Sequence, residues 1–168
     1  MYKIRYADVN DAKVLGEIHS KSWKIAYKNI VPDSVLNNIS AEKRQKYFEK
    51  ALSEKLEEDA LIFVDDKAVG LMSIGKCRDE DQDSTCGEIW GIYLLPEYWH
   101  KGIGTYFIQW GLNELKNRNF QKATLWVLEE NIHARKFYKK MGFRHDGTVK
   151  EILIGKKLNE YRYEIIIS

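Results

Sequence analysis

Glu88-Ile-Trp-Gly-Ile-Tyr-Leu-Leu-Pro-Glu-Tyr-Trp-His-Lys-Gly-Ile-Gly104 reads as a strand, a short turn and the opening of a helix. From Glu88 to Leu95 the residues are mostly apolar, β-branched or aromatic, and Pro96 ends the run because it has no amide to give to a continuing ladder. After Tyr98-Trp99-His100-Lys101, the glycines Gly102 and Gly104 stand at the head of Ile103, Tyr106, Phe107, Trp110 and Gly111, which share one face at helical spacing. A helix therefore starts at the glycines.

A glycine turn that enters a helix lets the backbone approach a ligand and aim several N–H groups at it. The helix N-terminus adds unpaired donors and the positive end of its dipole, so anions, phosphates above all, are favoured there. The spacing is not that of a nucleoside triphosphatase loop or of a dinucleotide fold, because Phe107 stands where a third glycine would fall.

Working outward, Tyr2, Ile4 and Tyr6 alternate with Lys3 and Arg5 as a half-buried strand does. Asp8 to Asp11 offer caps for a helix carrying Ala12, Leu15, Ile18, Ser22 and Trp23. A loop broken by Pro32 leads to a helix with Val35, Leu36 and Ile39, and Ser40 caps another that runs to about Leu56. Ala60–Val64, the Asp65-Asp66-Lys67 turn and Ala68–Ile74 form a hairpin. Arg78 to Thr85 is an acidic, polar loop: either solvated, or hung over the mouth of a site where Asp79, Glu80, Asp81 and Asp83 attract a cation. Ala123–Leu128 is a buried strand parallel to Glu88–Leu95 across a helical crossover. Asn131 caps a helix with a buried stripe of Ala134, Phe137, Tyr138 and Met141, Gly142 stops it, and strands near Phe143–Val149 and Tyr161–Ile167 close the chain.

Composition narrows the class. The 168 residues, 44% hydrophobic and 31% charged, suit one globular domain over residues 1–168. A net charge of +2 with no basic block argues against nucleic acid as a partner. No apolar run has signal-peptide or membrane-span length, which predicts a cytoplasmic protein that does not meet a membrane. Cys77 and Cys86 lack redox or zinc spacing and can face each other across a hairpin as free thiols; the four histidines are scattered, so no metal is expected.

Trp99-His-Lys-Gly-Ile-Gly104 resembles the Gln/Arg-x-x-Gly-x-Gly/Ala pyrophosphate segment of the GNAT family of acetyl-coenzyme A-dependent N-acetyltransferases, with Trp99 at the Gln/Arg position. Asn131-Ile-His-Ala-Arg-Lys-Phe-Tyr-Lys-Lys-Met-Gly-Phe143 is similar to that family's second signature at every named position. The resemblance implies an α/β (α+β) GNAT fold: a central, twisted, mixed but mostly antiparallel sheet of about seven strands with about four flanking helices. The sheet would be splayed where Glu88–Leu95 and Ala123–Leu128 part at the cofactor site.

By the same resemblance, main-chain groups of Ile92, Tyr93 and Leu94 would bond the pantetheine of acetyl-CoA like an added strand. The amides of His100, Lys101, Gly102, Ile103, Gly104 and Thr105 would hold its pyrophosphate, with Asn131 and Tyr138 also at the cofactor. Trp23, Tyr27 and Ile30 lie where the family builds a wall of its acceptor site, and are otherwise core residues. Glu88 takes the position of the glutamate base of some members, against a reading as a strand-end carboxylate in solvent, and would also meet the substrate. Tyr138 matches the tyrosine near the coenzyme sulfur and is equally suited to a core.

The chemistry needs such groups. A primary amine with a pKa of about 10.4 must lose a proton before it attacks a thioester, and the leaving thiolate, pKa about 8.5, gains from a nearby acid. With no cysteine in either signature, the reading is transfer of acetyl from acetyl-CoA to a small cationic amine, a polyamine favoured, by direct attack in a ternary complex. Acetylation of a protein N-terminus or lysine, and a non-catalytic coenzyme A sensor, are the alternatives. Apolar residues on the last strands leave a homodimer open.

Overall fold

The computed structural model describes residues 1–168. The opening alternation forms β1 (Tyr2–Tyr6). The expected cap lies one turn earlier than helix α1 (Ala12–Ala26): Asp8 accepts the Asn10 amide at 2.8 Å, Asp11 accepts the Asp8 amide at 2.9 Å, and a 3₁₀ turn leads into the helix. Pro32 starts the single-turn helix α2 (Asp33–Leu36). Ser40 accepts the Lys43 amide at 3.1 Å and opens α3 (Ala41–Ser53). That helix stops short of Leu56 because Lys55 turns left-handed, φ 55°, and the Leu56 amide reaches back to the Ala51 carbonyl at 2.8 Å.

Strands β2 (Glu58–Val64) and β3 (Lys67–Lys76) make the expected hairpin, with Asp65 and Asp66 both at positive φ in its two-residue turn. Then follow β4 (Cys86–Leu94), α4 (Ile103–Asn117), β5 (Lys122–Leu128), α5 (Ile132–Lys140), β6 (Arg144–Leu153) and β7 (Lys157–Ile166). The last two strands run longer than expected because β6 exposes Val149 and Leu153 and so lacks a plain apolar pattern, while the tip of the hairpin at Gly155 lies against Pro32 and Val35. Cys77 and Cys86 are free thiols joined through the Cys77 amide and Cys86 carbonyl at 3.0 Å.

The seven strands form one sheet in the order β1-β2-β3-β4-β5-β7-β6, antiparallel except for β4 with β5. Five helices flank it, counting the single turn α2. The β4–β5 pairing covers Cys86↔Lys122, Gly87↔Ala123 and Glu88↔Thr124 and then ends. A bulge causes the parting: Ser73 of β3 faces Gly91 while Ile74 faces Ile89, so Trp90 is the extra residue. Burial records it, complete from Cys86 to Ile89 and only partial from Trp90 to Leu94.

One face of the sheet carries α4, with Ile103, Phe107 and Ile108 buried on Met72, Ile74 and Ile89. The other carries α1 and α3, which bury Leu15, Ile18 and Phe48 on Leu61 and Leu71. These two helices cross closely at Gly16, where a Cβ would stand 2.7 Å from the Ala41 carbonyl and the Gln45 amide. No helix is long and apolar enough to cross a membrane.

Candidate functional site

The turn ahead of α4 is an amide cradle. The Trp99 amide bonds Pro96 and the Tyr106 amide bonds Gly102, but between them none of the amides of His100 to Thr105 donates to a backbone carbonyl. His100 at φ 59° and Gly102 at φ 82° bend the chain so that the helix begins at an uncapped end. A Cβ at Gly102 would meet nothing within 4 Å, so that position opens outward. Lys101 brings a cation 5.6 Å from the Tyr98 ring. The donor set fits a diphosphate bound by backbone. Trp99 does not face an anion; its indole N–H donates to the Leu94 carbonyl at 2.9 Å and staples the turn to the end of β4.

The adjoining stretch of β4 has a free edge. The Leu95 amide donates to Val69 at 2.8 Å, so by alternation Tyr93 also faces β3, and Ile92 and Leu94 turn their peptide groups to the side β5 has left. This is the edge that an extended amide chain can extend. Asn131 accepts the Ala134 amide at 3.3 Å as the cap of α5, which leaves its side-chain N–H₂ for a ligand.

Helix α5 lies over the split, and the stripe expected to be buried, Ala134, Phe137, Tyr138 and Met141, is only half-buried. The helical pattern shows which side faces the sheet, and the parting of the strands beneath, which the resemblance implies, leaves that side half-covered. Tyr138 packs on Phe137 and Phe143 with ring centroids 5.5 and 5.9 Å away. Burial first, then the Tyr93 phenol, raises its pKa far above that of a free tyrosine, so it stays protonated.

Glu88 is not a solvent-facing strand end. Its side chain is 1% exposed, and Oε1 accepts the Arg78 amide at 3.0 Å and Nε at 3.2 Å while Oε2 accepts an Nη at 2.8 Å. Arg78 in turn lies 4.4 Å over the Trp90 ring. Three of about four lone-pair positions on the carboxylate are taken, leaving one on Oε2. The strand register puts Glu88 and Thr124 on the face away from α4, the face that also carries Glu160 and Arg162 of β7. Glu160 is held 3.7 Å from Lys150; burial raises its pKa against the pull of that lysine, with Arg78 and Glu88 among its neighbours.

Above this face stands the end of α1. Trp23 stacks 5.7 Å from His19 and meets Tyr27 edge-on at 4.5 Å. Burial first, then the Tyr93 and Tyr138 phenols, pushes Tyr27 well above its ordinary range. Trp23, Tyr27 and Ile30 also pack against the small cluster of Val31, Leu36, Leu128 and Leu158, so they serve as core on one side and wall on the other.

The acidic loop does not hang free over an acceptor mouth. Asp79 and Asp81 are tied to Arg162 at 3.2 and 2.7 Å, Asp79 also accepts the Trp126 indole at 3.0 Å, and Asp83 accepts from Thr85. Arg162 is one cation shared by Asp79, Asp81 and Asp146, so it pins the loop to β7 and takes up only part of that charge.

A parted parallel strand pair with a free peptide edge, an amide cradle at its mouth and a buried carboxylate on the neighbouring face is an arrangement suited to a diphosphate-bearing ligand held by backbone. Residues 23–143 match the model of the Acetyltransferase (GNAT) family. The uncharacterized N-acetyltransferase YuaI of Bacillus subtilis is 30% identical over 133 residues, 78% of this chain and 74% of that one. The spermidine N(1)-acetyltransferase of Thermoplasma acidophilum is 26% identical over 153 residues, 87% and 90% of the two chains. The crystal structure of the PaiA N-acetyltransferase from Thermoplasma acidophilum with coenzyme A superposes with a TM-score of 0.80 at 21% identity over 99% of both chains. The chain belongs to the GNAT acetyltransferase family and is an acetyl-CoA-dependent N-acetyltransferase.

The two glycines of the cradle are expected to respond differently. At φ 82°, Gly102→Ala forces a side chain into the left-handed region at about 1–2 kcal/mol, which is expected to weaken coenzyme A binding about tenfold by calorimetry. Gly104→Ala meets only Phe137 at 3.4 Å and Leu94 at 3.5 Å and is expected to change it less than threefold, on the order of 0.6 kcal/mol. Equal effects would sink the cradle assignment.

Proposed function

We propose that this protein acetylates a primary amine of a small cationic acceptor, a polyamine or similar amine, by direct attack on acetyl-CoA in a ternary complex. The observation that carries the reading is Glu88, a buried carboxylate with one free lone-pair position, set where β4 leaves β5 on the sheet face that also carries Tyr93 and, against Tyr93, helix α1. In this reading the pyrophosphate lies on the amides of His100 to Thr105 near Lys101 and Asn131, and the pantetheine lies along Ile92 to Leu94. The amine enters on the other face, between Trp23, Tyr27 and Ile30.

Glu88 takes the amine's proton through a water on its free position, Arg78 holding the carboxylate in place. Tyr138 gives a hydrogen bond to the departing sulfur; as its pKa lies above that of a thiol, it stabilises the thiolate rather than fully protonating it. The similarity to a spermidine acetyltransferase supports the acceptor class.

The test is release of free coenzyme A thiol, followed colorimetrically, with polyamines, aminoglycosides, amino acids and short peptides. Turnover confined to amines without a carboxylate supports the reading, and turnover confined to peptides would replace it with protein acetylation. Tyr138→Phe is expected to lower kcat about tenfold or more, with coenzyme A affinity within about threefold of the parent by calorimetry. An unchanged kcat would remove Tyr138 from the chemistry.

A further inference from the structure

Cys77 follows β3 directly and Cys86 opens β4, so the two cysteines stand at the two ends of the loop 78–85. The register pairs Lys76 with Gly87, which sets Cys77 opposite Cys86, and the Cys77 amide donates to the Cys86 carbonyl at 3.0 Å. Opposed residues of an antiparallel pair point to one face, and Cys86 is in phase with Glu88, so both thiols share the face of Glu88 and Thr124. One hydroxyl touches both: Thr124 Oγ1 lies 3.5 Å from Cys77 Sγ and 3.8 Å from Cys86 Sγ.

Opposed residues carry their Cβ atoms about 4.5–5.5 Å apart, and a disulfide holds them at about 3.8 Å. A bond between these sulfurs therefore needs only a small inward shift of the two strand ends, and the pull of the sheet against that shift keeps the bond easily reduced. The two thiols differ in access. Cys77 is half-buried, while Cys86 is 1% exposed. Burial first, and then Cys77 itself, holds the Cys86 thiol well above the usual thiol range. A small reagent meets Cys77 first, and Cys86 waits beside it.

The residues between them give the bond a consequence. Arg78, next to Cys77, gives its amide and guanidinium to Glu88 at 3.0, 3.2 and 2.8 Å. Asp79 lies 3.8 Å from Cys77 Sγ and ties the loop to Arg162. Drawing Cys77 toward Cys86 carries the Arg78 amide with it, because one peptide joins the two residues, and the carboxylate at the split loses its clamp.

We infer that Cys77 and Cys86 are a thiol–disulfide switch on acetyl transfer: a low-molecular-weight disulfide oxidises them to a bridge, and the bridged form, with Arg78 displaced from Glu88, turns over the amine slowly. This rests on the amine-acetylation reading, in which Glu88 takes the proton. The Cys77 thiolate attacks one sulfur of the small disulfide and releases one thiolate. Cys86, its proton passing to solvent, then attacks the Cys77 sulfur and releases the second. Two protein thiols give up two electrons and two protons, and the small disulfide becomes two thiols.

The test equilibrates the protein with mixtures of oxidised and reduced glutathione. The bridge is read from the mass of the intact chain after alkylation. Activity is read from loss of thioester absorbance, because a disulfide reagent for thiols would itself oxidise the pair. The bridged chain is expected to lack two hydrogens and take no alkyl group. In proportion to it, kcat/KM for the amine is expected to fall about tenfold or more, and dithiothreitol to restore it. Cys77→Ser is expected to keep the activity of the reduced parent within about threefold and to ignore oxidised glutathione. A thermal melt checks its folding; if it melts early, Cys77→Ala carries the same test. A glutathione adduct on Cys77 in place of the bridge, or a loss of activity that persists in both variants, overturns the inference. So does a bridge that leaves kcat/KM unchanged while Glu88→Gln lowers it, and the enzyme reading then stands. A fully reduced parent that turns over no amine would defeat that broader reading instead.

Discussion

Glu88→Gln is expected to lower kcat/KM for the amine by about 10²–10³ at neutral pH while leaving coenzyme A affinity unchanged by calorimetry. The amide keeps the shape of the side chain and can still accept from Arg78, which is 51% exposed and can turn to water for the rest of its solvation. What goes is the place for the amine's proton. Because a primary amine titrates near a pKa of about 10.4, each unit of pH above neutrality raises its free-base fraction about tenfold and supplies outside what Glu88 supplies within. The deficit should therefore narrow steadily toward pH 9 to 10, and pH–rate profiles of both proteins measure it. Parallel profiles with a constant deficit would make Glu88 a structural anchor for Arg78 and the bulge, not an acceptor of the proton.

The parts of the site made by backbone were legible because they depend on residue types that local physics restricts. Only glycine sits readily at the φ of 82° found at Gly102, and an apolar face beginning at Ile103 can only follow it as a helix. The parallel crossover from β4 to β5 followed from its length. Polar contacts between distant segments left no such trace. Arg78 and Glu88 meet across the turn between β3 and β4, and Asp79 and Asp81 look like loop acids until Arg162 of β7 arrives. Trp90 reads as an ordinary strand residue, though it is the bulge that parts the sheet.

Arg162→Met is expected to destabilise the fold by about 3–5 kcal/mol, lowering Tm by roughly 6–20 °C. Arg162 is 4% exposed and uses all five of its N–H bonds: Nε to Asp146 at 2.6 Å, one Nη to Asp79 at 3.2 Å and Asp81 at 2.7 Å, the other to Asp81 at 2.7 Å and Thr148 at 3.1 Å. Methionine fills much of the volume but leaves the mostly buried Asp79 and Asp146 without a countercharge. Acid separates lost ion pairing from lost packing. The hydrogen bond from Arg162 holds Asp81 below the carboxylate range; at Asp146 burial pushes up, but bonds from Arg162 and Thr148 more than offset it. Carboxylates depressed in the folded state add stability above their unfolded pKa of about 3.9 and lose it as pH falls through the lower folded value. The parent protein should therefore lose Tm steeply below about pH 4, while Arg162→Met, with that stabilisation already gone, should lose less, so that the two curves converge toward pH 2 to 3. A gap that stays constant with pH would assign the loss to packing against Trp126. The same variant frees the loop that carries Arg78, so its kcat should fall even well below its melting temperature, joining the buried arginine of β7 to the carboxylate at the head of β4.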